Sequence, residues 1–112
     1  MKDVIKSGGE WISSIDLENA IVAHPAVAEA AVVGVPHPRW QERPVALVVT
    51  EPGRTLSEQE VRDHLAPRFA SWQLPESVLF VEEIARTSVG KIDKRRLRAQ
   101  YRDHYISGSG DA

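Results

Sequence analysis

The sequence predicts a compact α+β domain with an N-terminal hairpin and a three-stranded sheet covered by helices. Three observations carry this expectation. Three apolar runs, residues 27–35 (VAEAAVVGV), 45–50 (VALVVT) and 78–81 (VLFV), have the length and β-branched content of buried strands. Serine-led segments with helical apolar spacing stand before and between them. A Gly8-Gly9 pair near the start separates two short stretches of β character. At 112 residues the chain has the length of one domain, with enough apolar content to fold without covalent staples.

Residues 3–12 read as a hairpin over the Gly8-Gly9 turn, because paired glycines accept positive φ. Such a hairpin is marginal by itself and is expected to face another surface. Ser13 or Ser14 opens a helix whose apolar face is Ile15, Leu17, Ala20, Ile21 and Ala23, and His24-Pro25 stops it. The first apolar run follows. Residues 36–44 (PHPRWQERP) read as a proline-rich loop carrying an exposed Trp40, and the second run leads to a Pro52-Gly53 turn. Ser57 caps the next helix, with Glu58 and Glu60 where the helix dipole favours acids and Val61, His64 and Leu65 facing inward. An irregular aromatic-proline segment (Phe69, Trp72, Leu74, Pro75) precedes the third strand. A loop over residues 85–90 leads into a final helix from Asp93, with Leu97 and Tyr101 on its apolar side, and residues 107–112 form a flexible tail.

Composition narrows the function classes. The net charge is -2, from 14 Lys+Arg against 16 Asp+Glu, so no bulk basic field favours nucleic acid. Cysteine is absent, which excludes disulfides, thiolate catalysis and Cys-type zinc sites. His24, His37, His64 and His104 lack metal-ligand spacing, so no metal site is expected. No apolar run has membrane-spanning length and no signal peptide precedes the fold; a cytoplasmic protein without a membrane span is the expectation.

Positive charge is nevertheless concentrated locally, in Arg86, Lys91, Lys94, Arg95, Arg96 and Arg98. Lys91, after a glycine in a Thr/Ser-lined loop, is placed to present an ammonium to a phosphate or carboxylate. A solvated basic helix start accounts for the same residues equally simply. Gly8-Gly9 is either an ordinary hairpin turn or a bare backbone past which a ligand chain slides. Trp11 is either a core residue or an aromatic platform, and Trp40 reads as exposed.

Four blocks then resemble, in order and spacing, the C-terminal domain of the adenylate-forming acyl-CoA synthetase superfamily, over residues 2 to about 105. They are Lys2 to Glu10 (KDVIKSGGE), Val33 to Pro38 (VGVPHP) followed by Glu42-Arg43-Pro44, Leu74-Pro75 before VLFV, and Thr87 to Lys94 (TSVGKIDK). Two departures stand out: Ala85 where proline is usual before Arg86, and Gln41 where glycine is common before Glu42. The resemblance implies that Lys91 serves the half-reaction in which a carboxylate and ATP give acyl-AMP and pyrophosphate. It implies a hinge at Lys2, about which the domain rotates to bring the hairpin to the site for thioester formation with CoA. Gly9 and Gly8 would line the pantetheine path, with Ser7, Glu10 and Trp11 beside them, and Arg39 and Trp40 would lie near the CoA nucleotide. The Gly-Gly-Glu-Trp-Ile-Ser run is similar to that of medium- and long-chain fatty acyl-CoA ligases.

Residues 1–106 would then be the lid of a larger ligase. Its partners are its own N-terminal adenylation domain, ATP, CoA and a carboxylic acid. ATP and Mg2+ would be held mainly by that N-terminal domain, no phosphate-binding loop of which stands in these residues, so the lid alone is expected to be inactive. A nonribosomal peptide synthetase adenylation subdomain and a stand-alone anion- or partner-binding module are the alternatives.

Overall fold

The computed structural model describes residues 4–106. Five strands, β1 (Val4–Ser7), β2 (Glu10–Ser13), β3 (Val27–His37), β4 (Gln41–Thr50) and β5 (Ser77–Phe80), and three α-helices, α1 (Ser14–Val22), α2 (Glu58–Leu65) and α3 (Lys94–Gln100), make up the domain. The expected α+β class, hairpin and flanking helices are all present. The hairpin does not stand apart, however. β1 pairs with β4 at Ser7 and Gln41, so hairpin and sheet form one five-stranded sheet in the order β2-β1-β4-β3, with β5 parallel to β4. A marginal two-stranded ribbon thereby borrows the stability of the whole sheet.

The long apolar runs are explained by burial on both faces. Ala30 and Val32 of β3 join Ala46 and Val48 of β4 against Leu17 and Ile21 of α1 and Val61 and Leu65 of α2. Ala31, Val33 and Val35, with Val45 and Leu47, pack on the other face against Ile84 and Leu97. An antiparallel pair normally alternates polar and apolar residues; here helices cover both sides, so both parities are apolar.

Residues 36–44 are not the loop the prolines predict. β3 continues to His37 and β4 begins at Gln41, with Pro36 opposite Glu42 and Gly34 opposite Pro44. Pro36 is tolerated because β3 is an edge strand, and Pro44 falls between the stretches of β4 that pair with β1 and with β5. The exposed edge of β3 is closed by two side chains. A carboxylate oxygen of Glu18 accepts from Val32 N at 2.7 Å, and Lys94 Nζ donates to Val32 O at 3.1 Å and pairs with Glu18 at 2.6 Å. At Val32 these bonds take the place of a neighbouring strand.

The helix caps follow the serines. Ser13, rather than Ser14, caps α1 and accepts from Asp16 N at 3.2 Å. Ser57 and Glu60 form a reciprocal capping box on α2, and Asp93 caps α3 through Arg96 N. The inward face of α1 is Ser14, Leu17, Ala20 and Ile21, while Ile15 is exposed. Among the described residues no helix is long and apolar enough to cross a membrane.

Candidate functional site

Two loops carry the candidate residues, and they are built differently. Residues 85–93 fold back on themselves as a tight hairpin. Asp93 N donates to Ala85 O at 2.9 Å, Thr87 N to Lys91 O at 2.7 Å and Gly90 N to Thr87 O at 2.9 Å. Gly90 has φ +88°, the left-handed position that ends a three-residue hairpin loop. A glycine before the lysine is therefore a requirement of the turn. The base of the loop is anchored in the core through Ile84, Ala85 and Ile92. Its tip is polar and open: Lys91 is exposed, as is Val89. Among the described residues no carboxylate pairs with Lys91. The neighbouring cations differ. Lys94 is committed to Glu18 and Val32 O, and Arg86 to Glu29 and Gly90 O, so the positive field around Lys91 is smaller than the count of basic residues implies.

At the other loop, Gly8 and Gly9 have φ +57° and +88°, the paired positive values of a two-residue hairpin turn. Their surroundings are unequal. A Cβ on Gly8 would sit 3.0 Å from Cε3 of the Trp40 indole, whereas one on Gly9 would meet nothing within 4 Å. Gly8 is packed beneath Trp40, and Gly9 offers bare backbone to the outside. Trp40 is held by its main chain, its carbonyl accepting from both Gly8 N at 2.8 Å and Glu42 N at 2.9 Å. The Arg39 guanidinium lies 4.8 Å from the Trp40 ring centroid. Gln41 closes this bend with φ +72°, which explains why glycine suits the position.

Ser7, Gly8, Glu10, Trp40, Arg43, Trp72 and Glu76 line one cleft of about 450 Å3. The structure brings Ser7, Gly8, Glu10 and Trp40 together in this cleft, while Gly9 and Arg39 are not among its lining residues. Trp11 does not join them. It is 60% exposed on the outer face of the hairpin beneath Lys6, which rules out its core reading. Lys2 lies outside the described residues, as does the tail.

Sequence reasoning missed Arg43, the residue that assembles this cleft. Its side chain is buried and donates to Ser7 Oγ at 3.1 Å, Trp72 O at 2.6 Å and Leu74 O at 3.0 Å, and it pairs with Glu76. One guanidinium thus ties β1, β4 and the segment before β5. The available signal was a charge at the head of an apolar strand, flanked by Glu42 and Pro44. Below it, Tyr105 donates to Pro44 O at 2.6 Å and accepts from Ser77 N at 3.1 Å, and burial pushes its phenol up to about 12.

The two loops are far apart. The lysine loop is tied to Glu29 and the glycine turn to Trp40, just beyond His37. Eight residue steps along β3 lead from Glu29 to His37, about 26 Å at the usual rise of a strand.

These features coincide with a known family. The profile of the AMP-binding enzyme C-terminal domain matches residues 16–91. A long-chain-fatty-acid–CoA ligase of Thermus thermophilus is 58% identical over 106 residues, 94% of this chain and 19% of that protein. A 3-methylmercaptopropionyl-CoA ligase of Ruegeria pomeroyi is 53% identical over 102 residues, 91% of this chain and 19% of that protein. Among solved structures, ATP-bound MatB from Rhodopseudomonas palustris superposes with a TM-score of 0.88 at 36% identity, covering 93% of this chain and 21% of that one. The chain is a C-terminal domain of the AMP-binding enzyme superfamily, homologous to acid–CoA ligases. It spans about a fifth of the length of the curated relatives it matches.

Proposed function

We propose that this domain is the mobile lid of an acid–CoA ligase and serves its two half-reactions with two different loops. Lys91 acts in adenylation, where carboxylate and ATP give acyl-AMP and pyrophosphate. The two reacting groups are both anionic, and a mobile ammonium between them stabilises the charge on the transferring phosphoryl group. The Gly8-Gly9 turn, with Ser7, Glu10, Trp40 and Arg39 around it and Trp11 on its outer face, then borders the path of the CoA pantetheine arm. Lys2 is the pivot between the two poses.

The observation that carries the reading is the separation along β3. Their anchor points on β3, Glu29 and the end of the strand at His37, stand about 26 Å apart along one sheet, which supports the reading that the two loops serve the reaction centre in turn as the whole domain rotates. ATP and Mg2+ belong to the N-terminal domain in this proposal. Among the described residues no group of three or more His, Asp or Glu could hold a metal ion.

The acid is proposed to be a medium- or long-chain fatty acid. The Thermus relative is named for the long-chain class and a relative from Ectopseudomonas oleovorans, 45% identical, for the medium-chain class. The Ruegeria relative is named for 3-methylmercaptopropionate at 53% identity, so the choice of acid is assigned to the part of the protein outside this domain.

Lys91→Ala in the full-length protein tests the division of labour. Acyl-adenylate formation is expected to fall by roughly a hundredfold or more, while thioester formation from supplied acyl-adenylate and CoA persists. Equal loss of both half-reactions refutes it. Gly9→Leu should give the opposite pattern, losing CoA-dependent turnover with adenylation retained.

A further inference from the structure

We propose that Glu29 of β3, acting through Arg86, is a positioning residue for Lys91. This rests on the reading of Lys91 as the adenylation lysine. The loop is anchored by apolar side chains only at its base, where Ile84, Ala85 and Ile92 meet the core. At its tip the Arg86 side chain holds it. One guanidinium nitrogen donates to Gly90 O at 2.9 Å, the oxygen of the peptide unit that carries Lys91 N. The other terminal nitrogen is bonded to a carboxylate oxygen of Glu29. The grip falls where the chain is softest, because Gly90, at φ +88° and with open space around its Cα, has no side chain to limit it. Lys91 N itself has only a 3.3 Å contact to Thr87 Oγ1.

The pair is poorly placed to stabilise the fold. Its side chains are 43% and 38% exposed, a setting in which ion pairs contribute little. Its geometric content is larger. A planar fork fixes two acceptors at a set distance and angle, which a lysine ammonium does not reproduce. Glu29 pairs with Val49 of β4, directly after an irregularity in the register at Ala28, so the clamp refers the Lys91 backbone to the sheet. Glu83 and Arg96 line a second surface cleft together with Glu29 and Arg86.

The test compares Glu29→Gln, Arg86→Lys and the double variant in the full-length protein, beside Lys91→Ala. Glu29→Gln is expected to lower the adenylation kcat by roughly ten- to a hundredfold. The KM for ATP, the rate of thioester formation from supplied acyl-adenylate, and Tm should stay at the parent values. Arg86→Lys should match it, and the double variant should be no worse than the poorer single one. Adenylation within twofold of the parent in Glu29→Gln, equal loss in both half-reactions, or a Tm lowered by several degrees overturns the proposal. If Lys91→Ala separates the half-reactions and Glu29→Gln does not, the clamp alone is wrong. If Lys91→Ala fails to separate them, the lysine assignment falls and the clamp falls with it.

Discussion

Replacing Arg43 by methionine, similar in length and uncharged, should destabilise the domain by about 3 kcal/mol. In the native state its guanidinium satisfies Ser7 Oγ and the carbonyls of Trp72 and Leu74, and neutralises Glu76. Ser7 is itself only 6% exposed, so its hydroxyl cannot turn to bulk water. Three acceptors losing their donor would cost ~1–2 kcal/mol each if all stayed dry. Glu76 is 42% exposed and the cleft opens to solvent, so water re-satisfies part of the set and the lower half of that range applies. A domain of this size has roughly 5–15 kcal/mol of stability, so the variant should still fold. Urea unfolding followed by tryptophan fluorescence, to which Trp11, Trp40 and Trp72 all contribute, reports the midpoint. Arg43→Lys should recover only part of the loss, since an ammonium cannot span acceptors on three segments. In the full-length protein the damage should fall on thioester formation, because the cleft beside Gly8 loosens while the lysine loop keeps its own anchors. A loss below 1 kcal/mol, or equal recovery by lysine, would refute the role of Arg43 as the cleft's organising residue.

Gly34→Ala should destabilise by about 1–3 kcal/mol, because the added Cβ would lie 2.7 Å from Cγ2 and 2.9 Å from Cγ1 of buried Ile5. Adding Ile5→Ala should make the second change cheaper than it is alone, and strict additivity in chemical unfolding counts against the clash. Tyr105 makes stability fall at high pH. Its neutral phenol is favoured in the folded state, so its contribution is complete below pH ~10 and is lost as pH rises through about 12, at most ~3 kcal/mol in all. Tyr105→Phe should cost about 1–2 kcal/mol at neutral pH by stranding Ser77 N and Pro44 O, yet narrow its deficit against the parent between those pH values. A constant deficit across that window would refute the assignment.

Much of the fold was legible because it rests on local rules. Ser13 and Ser57 cap where their acidic partners stand three residues on, and paired glycines turn the first hairpin. The strand boundaries around residues 36–44 were misjudged because proline was read locally, as a breaker. What admits Pro36 is the edge position of β3, a property of the sheet. The same limit applied to charge. Lys94 was counted with the field around Lys91, although it closes the β3 edge with Glu18, 76 residues away in the chain. Arg43, given no role of its own by the sequence, is the buried link among three segments. Pairing over such separations leaves no periodic trace.

By itself the sequence determined the class of domain, the turn glycines and the helix starts, since each depends on residue type at short spacing; Lys91 was singled out only by the resemblance of four blocks in order along the chain. Tertiary structure alone decided three things. It merged hairpin and sheet into one body through Ser7 and Gln41. It left Lys91 exposed while pairing the cations beside it. It placed the two candidate loops toward opposite ends of β3. Those outcomes depend on which strand lies at the edge and which carboxylate comes within reach of which base, and distances across a folded sheet are set only when the strands pair.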